Sequence, residues 1–168
     1  MNPILKASIT TVSKSKAIID GLSNAQLSNT TIPPYYSCIG THIRHILDFY
    51  HCIFSGLENS IIDLTARDRN QSIEQDCNCA KDSIQNVITK LEELSEVEMD
   101  KHLLVLDDLG HGKIEINYTL GALLAQANSH TIHHYAIISY ILNQLDLIVE
   151  DATFGYNPAT PLPNINLN

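Results

Sequence analysis

Tryptophan is absent from this chain of 168 residues, which holds only three phenylalanines and two methionines. Basic residues are scarce: ten Lys and Arg face nineteen Asp and Glu, for a formal charge of −9. Without a basic surplus to neutralise phosphates, neither nucleic acid nor an anionic membrane surface is expected as a partner. A long hydrophobic run is missing too. The most apolar stretch, Tyr135–Val149, is interrupted by Asn143, Gln144 and Asp146, so no transmembrane helix is expected. Residues 1–30 lack the continuous apolar segment of a secretory leader. The four cysteines, Cys38, Cys52, Cys77 and Cys79, are too few for a disulfide scaffold. The expected location is therefore the cytoplasm, with reduced thiols. Cys77-x-Cys79 is not the Cys-x-x-Cys spacing of zinc or redox sites, and on a helix those two side chains diverge.

Histidine is plentiful by contrast. Eight are present, more than the phenylalanines and methionines combined. Imidazole can hold metal or move protons, so its positions decide whether the excess has meaning.

The length fits a single domain spanning residues 1–168. Four long helical patterns are predicted. The first runs over Pro3–Ser23 and stops before the turn-rich Asn29–Pro34. The second, Ser37–Leu57, carries a stripe of Ile39, Ile43, Ile46, Tyr50, Ile53 and Leu57 at steps of three and four. The polar segment Glu58–Gln71 reads as a long connection. The third helix fits Ser72–Leu94, with Ile84, Val87, Ile88, Leu91 and Leu94 inward. Alternation at Lys113–Tyr118 marks a strand, with His102–Asp108 as its partner across a Leu109–Gly112 turn. Thr119 can cap a fourth helix reaching Gln144, and the proline-bearing tail at about 146–168, with Pro158, Pro161 and Pro163, is expected to be irregular. The expected fold is all-α: a four-helix bundle with a long crossover connection and a small β-hairpin before the last helix.

The apolar face of the last helix is Leu120, Leu123, Leu124, Ala127, Ile138, Ile141 and Leu145; stepping along it by three or four lands on His130 and His134. Histidines one turn apart on one face are spaced to chelate a single metal, and burying two imidazoles costs unless something satisfies them. The bland alternative is a pair of hydrogen-bonded core histidines. A third ligand would come from the second helix. There His42 lies about 60° from the centre of the stripe and His45 about 120°, so periodicity prefers His42. Asp48 could orient an imidazole as its outer partner, or be an ordinary solvated charge.

The run Cys38-Ile-Gly-Thr-His-Ile-Arg-His-Ile-Leu-Asp48, taken with Ser129-His-Thr-Ile-His-His-Tyr135, resembles the DinB-like (DinB/YfiT) superfamily of bacterial metal-binding four-helix proteins. Arg67-Asp-Arg69, Ile73–Asp76, Thr119-Leu-Gly121, Phe154-Gly155 and Ala159-Thr160 extend the likeness to one subgroup of it. That subgroup has Tyr-Asp where this chain has Leu64-Thr65. The resemblance covers residues 35–160. It implies metal ligands at His45, His130 and His134, with Asp48 in the motif. It disagrees with the angular count; His45 is preferred here because a helix packed between two neighbours buries a broad arc, and His42 is held in reserve. His51, His102, His111 and His133 are assigned no role.

Three neutral imidazoles suit a divalent ion, Zn²⁺ or Ni²⁺, and leave a coordination position open. The resemblance implies either a metal-dependent hydrolase or a thiol-dependent S-transferase acting on a small molecule, with a low-molecular-weight thiol as partner, and a homodimer. No His-Glu-x-x-His or Glu-x-x-His occurs, which argues against a metalloprotease and a di-iron carboxylate site. Arg44, Arg67 and Arg69 could bind an anion, or serve as surface and loop charges. Two other readings stand beside the enzyme: a non-catalytic metal or small-ligand binder, and a helical interaction module with structural histidines.

Overall fold

The computed structural model describes residues 1–161; Pro163, predicted to be part of the irregular tail, lies outside them. The order of elements is α1 (Pro3–Asp20), α2 (Asn24–Leu27), α3 (Ile39–Gly56), β1 (Ile61–Asp63), α4 (Ser72–Gln75), α5 (Cys77–Glu93), a 3-10 turn (Leu94–Glu96), β2 (His102–Asp108), β3 (Lys113–Thr119) and α6 (Leu120–Gln144). The strands form one mixed sheet in the order β1-β2-β3. β1 runs parallel to β2, with Ile62 opposite Val105, and β2 runs antiparallel to β3, with Val105 opposite Ile116.

This corrects the expectation of an all-α four-helix bundle. Among the described residues there are six helices and a three-stranded mixed sheet, a combination of α and β structure. The long helices do pack together, α1 and α3 each touching both α5 and α6. The missed strand, β1, is three residues long, too short for alternation to register. It sits inside what reads in sequence as a polar connection.

Local chemistry explains the other boundaries. Ser23 and Gln26 form a reciprocal capping box that starts the short α2 after α1 has ended at Gly21. Asp76 takes an extended conformation and accepts from the backbone N–H groups of Asn78 and Cys79, dividing the expected third helix into α4 and α5. Thr119 caps α6 through the N–H of Ala122. In the tail, Phe154 is buried and stacks on Tyr135.

Two glycines permit the close approaches that build the site. A Cβ on Gly56 would fall 2.1 Å from the carbonyl oxygen of Ile61, so only glycine lets β1 lie against the end of α3. A Cβ on Gly40 would fall 2.3 Å from the carbonyl oxygen of Glu74, so α4 can press on the start of α3.

Candidate metal centre

α3 and α6 pack side by side and bring His45, His130 and His134 together. One nitrogen from each ring lies within 4.8 Å of the others, and the ring centroids are 4.6 to 4.9 Å apart. A tetrahedral zinc site would hold such nitrogens about 3.4 Å apart, given its bond lengths of about 2.0–2.1 Å. Each pair therefore needs to close by no more than about 1.5 Å.

The residues fit a metal on a further observation. Nε2 of His130 is buried and has no hydrogen-bond partner among the described residues. A buried polar atom left unpaired costs roughly 1–3 kcal/mol, and a ligand bond would satisfy it. Phe49 packs beside this ring at 5.3 Å between centroids and excludes water from one side.

Burial, the largest cause, pushes the His45 and His130 pKa values down from 6.5 to about 4 and that of His134 to about 3. The Arg67 charge adds to the effect at His45 and His130, and neighbouring imidazoles add to it at His134. The trio is thus neutral at pH 7, the state that ligates metal. Because the folded values lie below the ordinary one, the unfolded chain takes up protons first as pH falls. The metal-free protein should be most stable above about pH 6.5 and lose stability progressively toward about pH 4. Arg67, Arg44, His42 and His133 all oppose protonation there, while Asp107 favours it at His130. Urea unfolding in the presence of a chelator should show a lower midpoint near pH 5 than near pH 7.5; an unchanged midpoint would contradict a buried neutral cluster.

Of the two α3 histidines in contention, His45 shares the trio and His42 stands behind His134. Their Nδ1 atoms are 2.9 Å apart, and Nε2 of His42 lies 2.9 Å from the Ser37 hydroxyl. If His134 presents Nε2 to the cluster, its Nδ1–H donates to His42, whose Nε2–H donates to Ser37. That chain fixes the tautomer of each ring. Burial, followed by the charge of His133, lowers the His42 pKa. The angular count favours His42 because it assumes a narrow stripe. α3 instead meets α4, α5, α6 and β1 and buries Ile39, Gly40, Ile43, Ile46 through Tyr50, Cys52 and Ile53.

Asp48 neither orients an imidazole nor faces solvent. It is 2% exposed and accepts from Nη1 of Arg44 at 2.7 Å. Nε of Arg44 pairs with Glu74 at 2.5 Å, and Glu74 also accepts from the Thr41 hydroxyl. Arg44 is therefore neutralised and is not free to bind a substrate anion. Arg69 is exposed with φ +55°.

Arg67 reaches the cluster from the loop that follows β1. Its Nε donates to the Leu64 carbonyl and its Nη1 lies 3.0 Å from Nδ1 of His45. β1 makes this reach possible: Leu64 N–H bonds to the Leu106 carbonyl, and Asp63 ties the following turn through the Thr65 N–H and hydroxyl. These bonds and Lys113 hold the Asp63 carboxyl down to about 2. Nothing in the local sequence marks such a contact across 22 positions.

The remaining histidines lie outside the trio. His51 is half-buried, His102 and His111 are exposed on the hairpin, and exposed His133 touches the edge of His134. Cys52 is buried beside the Ala66 carbonyl with its thiol pushed up to about 11, chiefly by burial, which leaves it a poor nucleophile. Cavities of about 560 and 480 Å³ lie among α1, α6 and the tail; no histidine lines either. No helix among the described residues is long and apolar enough to cross a membrane.

No protein-family model matches the chain. It is similar to FK506-binding protein 5 of Rhizopus delemar, at 31% identity over 104 residues, which is 60% of this chain and 27% of that protein. The chain thus spans about a quarter of the length of the curated relative it matches.

Proposed function

We propose that this protein is a mononuclear metal-dependent enzyme whose ion is held by His45, His130 and His134, of the hydrolase or thiol S-transferase kind that the resemblance to DinB-like proteins implies. The observation that supports it best is the convergence of three neutral imidazoles, one with a buried nitrogen that has no partner among the described residues. Zn²⁺ and Ni²⁺ suit this donor set. A divalent ion on three histidines supplies Lewis acidity and lowers the pKa of a water or thiol at its open position.

The chain's own groups do the rest. His42 and Ser37 keep the His134 ring turned toward the cluster. Phe49 keeps one side dry. Among the described residues no carboxylate is hydrogen-bonded to any of the three rings, so the positive charge that a bound ion would add is offset there only through space, by Asp107 acting on His130. An anionic nucleophile, such as a deprotonated thiol, would be favoured electrostatically in that setting.

A screen of low-molecular-weight thiols with electrophilic acceptors, and of ester and amide substrates, tests this. Turnover is expected from metal-loaded protein, with loss on chelation and on His134→Ala. Metal-loaded protein inert across the screen would count against an enzyme, and activity surviving chelation would remove the metal from the mechanism.

A further inference from the structure

The hydrogen bond between Arg67 and His45 sits awkwardly with a metal at the same ring. A guanidinium only donates, so Nδ1 of His45 must be the accepting nitrogen and the neutral ring must carry its proton on Nε2. If His45 ligates through Nδ1, the ion takes the lone pair that Arg67 now occupies. If it ligates through Nε2, the proton moves to Nδ1, where an N–H would face an N–H. In either case the Arg67 bond must break.

Arg67 also lacks compensation. It is half-buried, and among the described residues no carboxylate lies within ion-pair distance of it, unlike Arg44 with Asp48 and Glu74. Its Nε remains tied to Leu64, so a released guanidinium head would stay beside the cluster.

We infer that Arg67 and a bound divalent ion are alternatives at His45, and that the guanidinium so displaced anchors an oxyanion of the substrate, a carboxylate or a phosphate, next to the open coordination position. The inference rests on the metal reading above. A fork of N–H donors beside a divalent cation matches a group with two oxygens.

Titration with Co²⁺, followed by visible absorption, tests the competition in wild type and Arg67→Gln. Removing a positive charge that occupies the ligand nitrogen should tighten Co²⁺ binding by about tenfold or more. Weaker binding by the variant would overturn the inference, because it would mean that Arg67 supports the ligand ring, for instance as an imidazolate. Should Arg67→Gln fail to fold, imidazole ¹⁵N spectra of the wild type decide: adding Zn²⁺ must convert Nδ1 of His45 from a hydrogen-bond acceptor to a metal-bound or protonated nitrogen. An Nδ1 signal unaffected by bound Zn²⁺ overturns the inference. In the second arm, acetate and inorganic phosphate are titrated into Co²⁺-loaded protein. The wild type should respond at concentrations at least about tenfold lower than Arg67→Gln, and the stronger of the two anions identifies the oxyanion class. Equal responses from both proteins overturn the anchoring role. Failure of both proteins to bind Co²⁺ or Zn²⁺ removes the metal reading itself, a result distinct from the other two.

Discussion

Replacing His130 with leucine is expected to weaken metal binding on the order of a thousandfold, while leaving the metal-free protein at least as stable as before. The first half follows from the ligand count. A full structural zinc site contributes roughly 10–16 kcal/mol, so each of three ligands carries about 3–5 kcal/mol of it. The second half follows from Nε2, buried beside Phe49 with no partner among the described residues. Leucine is similarly bulky and brings no polar atom to bury, so the penalty for that nitrogen disappears. Chemical denaturation with chelator present, alongside a metal titration, measures both. A variant that binds metal as well as wild type would remove His130 from the site. A variant markedly less stable without metal would mean that the ring serves packing after all.

The second large effect concerns Arg44, which the motif places one residue from His45. Arg44→Leu should destabilise the protein by about 3–5 kcal/mol, the usual result of removing one partner from a buried ion pair. Asp48 is 2% exposed and would be left charged, without its cation, in the middle of α3. Glu74, 23% exposed, can turn toward water and should suffer less. In a protein of this size the loss corresponds to a fall in Tm of roughly 10 °C. Adding Asp48→Leu to Arg44→Leu should restore part of the stability, since an apolar pair has no charge to strand. A single variant within about 1 kcal/mol of wild type would contradict the reading of this network as buried and structural.

What could be read from the sequence depended on distance along the chain. Ile39, Ile43, Ile46, Tyr50 and Ile53 repeat often enough to mark α3, and the alternation at Lys113–Tyr118 marks β3. His130 and His134 were legible as a pair because four residues make one helical turn. Asp76 was not legible as a break, because its capping role depends on an extended backbone inside a run that otherwise favours helix. β1 is held by bonds to β2, forty residues away in sequence, and its three residues carry no period of their own. Missing β1 meant missing Arg67 as a partner of His45, since the strand carries the loop that delivers it. The ion pair of Asp48 was hidden for a related reason: its partner Arg44 is also held by Glu74 of α4, which lies against Gly40, a contact between segments more than thirty residues apart.

Elemental analysis of protein prepared without a histidine tag is the most direct test that His45, His130 and His134 form a metal centre. Wild type should carry close to one zinc or nickel ion per chain, removable by a chelator and restored by adding the ion back, and His45→Ala should carry almost none. Wild type free of bound metal and unable to take up Zn²⁺ or Ni²⁺ after full reconstitution, or a His45→Ala protein that holds as much as wild type, would contradict it.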